Sequence, residues 1–416
     1  MVVVSAMGKT TNRLVEALES AVAGDEAGAC DRIARLRRDT LAIVESFFGA
    51  GAERVARQIQ GDFAELERMA RAVAVLRSVP LASRDHFLAH GELVSSVIAA
   101  EALALYGLPV TRVDTREVVI TDDRFGRAQP DLPKIGRRAR RRLASLCDQG
   151  RIPIVGGYIG ATHQGETTTL GRGGSDYSAA ILGAALDASL VEIWTDVDGM
   201  MTADPRIVPE ARVIERMSSE EASELAYFGA RVLHPLTLAP AMEKGIPVRV
   251  RNSRRPELPG TEIHPSAPSG ASQIRSIACK KGIVTVDVIT SRMLMATGFL
   301  RTLFEVFARN ETSVDMVTTS EISVSVTLDD TSRLPAIRRE LEELAHVDVA
   351  RDRAMVCLVG QDLKFTPGVA GRIFGSLETI NILMISQGAS RRNVSFVVEE
   401  KDVDDAVRRL HKEFFG

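Results

Sequence analysis

A glycine-rich turn that leads into an alanine-rich segment is the feature that most constrains the fold of this chain. The turn runs Gly171-Arg172-Gly173-Gly174-Ser175-Asp176, and the residues after it predict a helix. Glycine adopts backbone conformations that other residues avoid, and it lets a ligand approach the backbone closely. A helix that begins there presents free N–H groups and the positive end of its dipole to an anion. The turn alone leaves two interpretations open, an anion-binding site and a tight turn with solvated charges.

A second segment favours the anion-binding interpretation. Val191–Thr195 predicts a buried strand, and Asp196–Gly199 predicts the loop at its carboxyl end. In open α/β sheets, ligands bind at the carboxyl ends of the strands. Thr195 and Asp196 are therefore candidates to contact a nucleotide and its metal, and Arg206 is a candidate to neutralise phosphate charge.

Composition bounds the class of protein. The chain has 416 residues and a formal net charge of −3, with no charged tail that would indicate a nucleic-acid or membrane-surface partner. The cysteines are far apart and form no CxxC pair, which argues against a disulfide framework or a cysteine zinc site and favours a reduced, cytoplasmic setting. No apolar run reaches the ~18 residues that span a bilayer, so we expect no membrane segment.

The order of predicted elements indicates an α/β fold. Residues 1–6 predict a buried strand, 7–12 a loop and 13–107 a mainly helical region, after which strands and helices alternate. Such alternation predicts a mostly parallel sheet covered by helices on both faces. The Pro-, Gly- and Ser-rich segment 256–270 predicts the end of this first domain.

The remainder of the chain contains a weak internal repeat. Gly282–Asp329 and Met355–Glu399 each predict a strand, a loop, a helix and two further strands. In each copy a loop with a glycine, Gly298 or Gly368, opens an amphipathic helix. The repeat therefore predicts two small α+β units.

Several ordered motifs together identify a family resemblance. They are the two segments above, Phe228–Pro235 (FGARVLHP), Thr121–Ala128 (TDDRFGRA) and Ser313–Glu321 (SVDMVTTSE). With these motifs the chain resembles aspartate kinases, most closely the lysine-inhibited bacterial type with C-terminal ACT domains. The resemblance implies the amino-acid-kinase fold followed by two ACT domains. It also implies transfer of the γ-phosphoryl group of ATP, bound with Mg, to the β-carboxylate of L-aspartate, the first step towards lysine, threonine and methionine.

The domain boundaries follow from the repeat and the resemblance together. We expect the kinase domain over 1–270, the first ACT domain over 282–350, and the second over 351–416 together with 271–281. The resemblance implies that a strand near Ile274–Cys279 pairs with the second ACT unit. ACT domains pair across subunits, so a homodimer or homotetramer formed through residues 282–416 is expected.

The resemblance assigns the aspartate-binding residues. Arg172 is expected to bind the α-carboxylate, and Asp176 and Glu92 to receive the amino group; Arg172 and Asp176 are also the catalytic candidates. The full substrate-binding set is Ser5, Thr11, Glu92, Tyr158, Arg172, Gly173, Ser175 and Asp176. Without the resemblance, Glu92 would be interpreted as a first-turn glutamate that complements a helix dipole, and Tyr158 as a core residue.

The nucleotide-binding and effector-binding residues are assigned in the same way. The expected nucleotide contacts are Thr195, Asp196, Met201, Arg206 and Arg231, where Arg231 replaces the family's usual lysine and Met201 a frequent tyrosine. The expected lysine contacts are Met293, Phe299, Leu300, Val314, Asp315, Thr319, Ser320 and Glu321. Two acids would bind two amino groups and the apolar residues the aliphatic stem; the alternative is that Met293, Phe299 and Val314 are core residues.

One departure concerns the start of the sequence. Family members begin with a strand that ends in Lys-Phe-Gly-Gly, whose lysine meets the ATP phosphates, and the printed sequence starts after that position. Loss of one preorganised charge contact costs about 3–4 kcal/mol in catalysis, so we expect impaired transfer by the chain as printed. A start codon assigned too late and a shortened chain are both open. The rival function is an amino-acid-sensing scaffold with an impaired kinase domain, and another amino-acid kinase is a more distant alternative.

Overall fold

The computed structural model describes residues 1–228, 237–266, 274–291 and 297–416. Within it the chain divides into two compact units. The first unit comprises Met1–Ile193 and Leu236–Val248, and the second comprises Trp194–Pro235 and Arg249–Gly416. Each unit has its own apolar core, so each is described by itself.

The described ranges contain thirteen α-helices. They are α1 Thr10–Val22, α2 Glu26–Phe48, α3 Ala52–Leu76, α4 Leu81–Leu105, α5 Leu132–Ala139, α6 Ser145–Asp148, α7 Gly174–Ala185, α8 Ser219–Tyr227, α9 Ala239–Glu243, α10 Phe299–Arg309, α11 Leu334–Glu342, α12 Val369–Gly375 and α13 Val403–Phe415. A π-helical turn, Arg140–Ala144, joins α5 to α6.

The same ranges contain fifteen β-strands. They are β1 Val2–Val4, β2 Val110–Arg112, β3 Ile152–Gly156, β4 Ile159–Ala161, β5 Thr167–Thr169, β6 Val191–Thr195, β7 Arg216–Ser218, β8 Val248–Asn252, β9 Thr261–His264, β10 Ile274–Ile289, β11 Val317–Thr319, β12 Ser323–Leu328, β13 His346–Gly360, β14 Met384–Gln387 and β15 Asn393–Glu399. The predicted strand 191–195 is confirmed, but only Val191 and Ile193 are buried and Trp194 is exposed. The predicted domain end at 256–270 instead contains β9.

The first unit places four long helices beside a small parallel sheet. On α3, Val55, Ile59, Phe63 and Leu66 are buried at helical spacing, and they share a core with buried residues of α1, α2 and α4. The sheet has the order β1-β3-β2, and both pairings are parallel. β1 comprises three residues, so it is shorter than the predicted strand 1–6. It is also less buried than predicted, since these residues are exposed or half-buried.

Helix α4 crosses the core of the first unit. By length and composition it could span a membrane, which the search for apolar runs did not anticipate. However, 67% of its most apolar window is buried inside the protein, as in the core helix of a globular fold. Glu92 lies in the middle of α4, which begins at Leu81, so the interpretation of Glu92 as a first-turn glutamate is wrong.

The second unit contains a six-stranded sheet with the order β11-β12-β10-β13-β15-β14. A separate four-stranded sheet has the order β6-β8-β9-β7. The long strand β10 serves both halves of the repeat. Its first part, Ile274–Lys280, pairs with Met355–Gly360 of β13, and its later residues pair with β12. The predicted pairing of Ile274–Cys279 with the second repeat is confirmed.

Candidate active site

Two close backbone approaches position the glycine-rich turn in the first unit. A Cβ on Gly157, just after β3, would lie 2.7 Å from the Cα atom of Ser175. A Cβ on Gly174 would lie 2.7 Å from Cδ2 of Tyr158. Only glycine fits at both places, so the end of β3 and the first turn of α7 are in direct contact.

Tyr158 separates two strands because of its backbone conformation. Its φ is +65°, a left-handed value, and it lies between the end of β3 at Gly156 and the start of β4 at Ile159. Its N–H donates to Oγ of Ser178 on α7 at 3.0 Å, and its half-buried ring lies against Gly174. Burial raises the pKa of the Tyr158 phenol. The tyrosine therefore forms a wall beside the turn, where the sequence places it.

Glu92 is a buried carboxylate with one oxygen free. The side chain is 3% exposed, and Oε1 accepts the N–H of Ala6 at 3.2 Å. Oε2 is buried and has no hydrogen-bond partner in the described part of the chain. Burial raises the pKa of Glu92 to about 7. Gly156 packs on Glu92, because a Cβ there would lie 3.2 Å from the Cβ atom of Glu92.

Asp85 on the same helix shows how a structural carboxylate is satisfied. It is 1% exposed and accepts from the N–H of Gly126 at 2.7 Å and from the N–H and Oγ1 of Thr169 at 2.7 and 3.0 Å. These bonds hold the segment TDDRFGRA against β5. The sequence reasoning missed Asp85, and its only signal is an acid on a mostly apolar helix. The contrast with Glu92 indicates that the free Oε2 is available for a ligand.

Asp176 is the second uncompensated acid of the first unit. It lies in the first turn of α7, one residue after Ser175, and is half-buried. Burial raises the pKa of Asp176 to about 6, and no hydrogen bond or charge within the described residues offsets that shift. Arg172 is exposed just before the helix, and Gly173 adopts a left-handed φ of +70°. The turn therefore presents one cation and one raised-pKa carboxylate.

Ser5 and Thr11, the two remaining predicted aspartate contacts, differ in their position and burial. Ser5 follows β1, its carbonyl accepts the hydroxyl of Ser95 on α4 at 2.7 Å, and its side chain is exposed. Thr11 is half-buried in the first turn of α1, which begins at Thr10, so the predicted loop 7–12 is shorter than expected. The structure thus brings Glu92, Tyr158 and Ser175 together at Gly156-Gly157. It places Ser5 one residue from Ala6, and it gives Thr11 no hydrogen bond to these residues within the described ranges.

The predicted nucleotide contacts that are described, Thr195, Asp196, Met201 and Arg206, all belong to the second unit. Thr195 Oγ1 donates to Asp196 at 3.3 Å. Asp198, which the sequence reasoning did not select, accepts from Asn252 at 2.7 Å and from Arg255 at 2.8 Å, and so fixes the loop. The feature of the sequence that could have indicated Asp198 is its position two residues after Asp196 in the same loop.

Met201 and Arg206, two further predicted nucleotide contacts, differ in their burial and in their partners. Met201 is half-buried, and its carbonyl accepts the hydroxyl of Ser276 at 2.7 Å. Arg206 is 88% exposed but is already paired with Asp204, through bonds of 3.0 and 2.6 Å. That Arg206 neutralises phosphate charge stays a prediction, and the contact would require Arg206 to exchange Asp204 for the phosphate. Arg231 lies outside the described residues.

The predicted effector residues lie on the first half of the repeat. Phe299 and Val314 are half-buried against the core of this half, as the alternative of core residues expects. Leu300, Thr319, Ser320 and Glu321 are exposed, so Glu321 is not a buried acid. Met293 lies outside the described residues.

Asp315 is buried but already has partners. Its side chain is 5% exposed, and its oxygens accept from the Tyr227 hydroxyl at 2.8 Å and from Lys280 at 3.3 Å. The hydrogen bond to Asp315 contributes, after burial, to a raised pKa of Tyr227. The sequence reasoning missed Tyr227 and Lys280, because neither lies in the motif that contains Asp315. The contact joins a predicted effector residue to the last residue of α8.

Comparison with known proteins agrees with this architecture. The model of the amino acid kinase family matches residues 1–252, and the ACT domain model matches residues 356–414. The chain is 38% identical to lysine-sensitive aspartokinase 3 of Escherichia coli (strain K12), covering 100% of this chain and 92% of that protein. It is 37% identical to the crystal structure of E. coli aspartokinase III in complex with aspartate and ADP (R-state), with a TM-score of 0.86 and coverage of 100% and 93%. The same protein in complex with lysine and aspartate (T-state) gives a TM-score of 0.87 at 37% identity, with coverage of 100% and 92%.

Proposed function

This chain belongs to the aspartokinase family and is an aspartate kinase, and we propose that its first unit binds L-aspartate through Arg172, Glu92 and Asp176. The observation that carries this assignment is the pair of acids without partners, Glu92 Oε2 and Asp176. A buried acid without a partner is costly for a structure, and an ammonium group would compensate both. The α-amino group of aspartate supplies that charge.

The rest of the aspartate site follows from the charges of the substrate. Aspartate carries two carboxylates, so the site needs cationic or N–H partners as well as acids. Arg172 offers a planar fork for the α-carboxylate, and Gly173 and Ser175 offer backbone N–H groups at the start of α7. Tyr158 bounds the pocket on one side, and Ser5 and Thr11 contribute hydroxyl groups.

The reaction requires little acid–base chemistry from the protein. The β-carboxylate of aspartate is ionised at neutral pH, so it attacks the γ-phosphorus of ATP without a general base. The bond from that phosphorus to the β,γ-bridging oxygen breaks, and ADP leaves. Catalysis then rests on positioning and on stabilising charge. In our proposal Thr195, Asp196, Met201 and Arg231 contact ATP with its Mg²⁺, and Arg206 contacts phosphate after it exchanges its partner Asp204.

Arg172→Ala tests the aspartate site. Removing a charge-assisted contact should cost about 1.5–3 kcal/mol, so kcat/KM for aspartate should fall about 10- to 150-fold, with little change in KM for ATP. Aspartate-dependent ADP formation measures this, on the printed chain and on a form extended upstream with the family's lysine strand-loop.

Arg57→Ala is the matched control, because Arg57 is an exposed arginine on α3. It should leave both constants unchanged. Equal kinetics for the Arg172 and Arg57 variants would contradict the site. No ADP formation by either form of the wild type, with lysine binding retained, would favour the amino-acid-sensing scaffold.

We also propose that lysine inhibits this enzyme through the first repeat. The lysine complex of the E. coli relative supports this, as does the position of Asp315. Asp315 accepts from Tyr227 and Lys280, so a bound lysine would compete with these two donors for the carboxylate.

Tyr227→Phe tests this regulatory link. The variant removes one competitor for Asp315, so lysine should inhibit at a concentration lower by about tenfold, which corresponds to ~1.4 kcal/mol. The measurement is the lysine concentration for half-inhibition of ADP formation. Tyr106→Phe, which alters an exposed tyrosine, is the control and should not change it. An unchanged or higher inhibitory concentration for Tyr227→Phe would contradict the link.

The cellular setting and assembly are further parts of the proposal. We infer a cytoplasmic enzyme of the pathway to lysine, threonine and methionine, in agreement with its four free cysteines. We infer a homodimer or homotetramer formed through residues 282–416, where Val317, Ile322 and Ile385 are exposed apolar side chains. Light scattering with lysine present tests the assembly, and a monomer would contradict it.

A further inference from the structure

A cluster of two histidines and two acids lies between α3 and α4, the helix that also carries Glu92. His86 and His90 are one helical turn apart on α4, and Asp62 and Glu65 face them from α3. His86 Nε2 is 2.8 Å from Glu65 Oε1, and His90 Nε2 is 3.6 Å from Glu65 Oε2. His90 Nε2 is also 3.9 Å from Asp62 Oδ1.

The hydrogen bonds of both rings leave Nε2 facing the acids. His90 Nδ1 lies 3.0 Å from the carbonyl oxygen of His86, which only accepts, so Nδ1 of His90 carries the proton. His86 Nδ1 lies 3.1 Å from Oγ1 of Thr167. Histidines that bind metals are oriented in this way, with one nitrogen held by an oxygen and the other turned to the ion.

A cation is needed at the point where these groups converge. With Nδ1 of His90 protonated, the Nε2 lone pair points at two carboxylates, which is repulsive unless a positive charge lies between them. Two arginines are close enough to influence these acids. Arg116 is paired with Asp114 through bonds of 3.0 and 2.7 Å, and Arg112 donates to Oγ of Ser96 at 2.9 Å, so neither forms a hydrogen bond with Asp62 or Glu65 within the described ranges. The candidates that remain are a proton and a metal ion.

We propose that Glu65, His86 and His90, with Asp62 as a fourth ligand, form a zinc site that joins α3 to α4. Two imidazole nitrogens with carboxylate oxygens suit Zn²⁺, whereas Mg²⁺ and Ca²⁺ take oxygen ligands. Bond lengths of about 2.0–2.1 Å place tetrahedral ligand atoms about 3.3 Å apart. The ligand atoms of the two histidines and Glu65 all lie within 4.8 Å of one another, so small side-chain movements would complete the site.

Burial differs across the cluster in a way that gives an ion access. His90 is 2% exposed, whereas the side chains of His86 and Glu65 are 32% and 41% exposed. Zinc can therefore enter from the side of α3 without unfolding the core. Because His90 lies two residues before Glu92, the bound ion would also restrain the part of α4 that presents Glu92.

The test is zinc binding by the full-length, tag-free chain after dialysis against a chelator. Isothermal titration and metal analysis should give one Zn²⁺ per chain, with Mg²⁺ not competing. His86→Gln and Glu65→Gln should each weaken zinc binding at least about tenfold, the effect expected even for an outer partner of a metal ligand. Both side chains are partly exposed, so the variants should keep the wild-type circular dichroism.

His346→Gln is the matched control, since His346 is exposed and faces a single acid, Asp348, at 3.2 Å. It should bind zinc like the wild type. The proposal is overturned if the wild type binds no zinc, which would mean that the cluster holds only a proton. It is equally overturned if the His86 and Glu65 variants bind zinc as tightly as the wild type. None of these readouts depends on kinase activity, so the result stands apart from the proposed function.

Discussion

The close approach of backbones at Gly156-Gly157 is the constraint on which the predicted aspartate site depends. Gly156 lets β3 end against Glu92 on α4, and Gly157 lets the same strand end touch Ser175 at the start of α7. Any side chain at Gly157 would push α7 away and separate Ser175 and Asp176 from Tyr158 and Glu92. The geometry of the site is thus set by two residues that have no functional groups of their own.

The buried acids of the first unit differ in whether hydrogen-bond donors compensate their charge. The first unit satisfies the buried carboxylate of Asp85 with three donors, yet it leaves Glu92 Oε2 without any in the described ranges. Asp176 is likewise uncompensated. The pKa values of both acids are raised because burial disfavours their charged forms. In our proposal the ammonium group of aspartate reverses that effect, so the feature that costs stability in the free protein would supply binding energy for the substrate.

Much of this was predictable from the sequence, for identifiable reasons. The glycine-rich turn and β6 have strong local patterns, the repeat has a weak one, and the pairing of Ile274–Cys279 followed from the family resemblance. Other features depend on contacts distant in sequence. The left-handed Tyr158, the interior position of Glu92 on α4 and the bonds of Asp315 to Tyr227 and Lys280 have no local signal. Likewise, the sequence does not indicate that His86 and His90 belong to a cluster, because the acids that face them, Asp62 and Glu65, lie on another helix, α3.

The most direct measurement is the titration of Glu92 and Asp176 by carbon-13 NMR, with and without aspartate and with Glu92→Gln and Asp176→Asn for assignment. In the free protein the pKa values should be about 7 for Glu92 and about 6 for Asp176. A bound ammonium favours the charged carboxylates, so both values should fall by about one unit or more, and binding near neutral pH should release protons. Aspartate binding that leaves both pKa values unchanged would contradict the account.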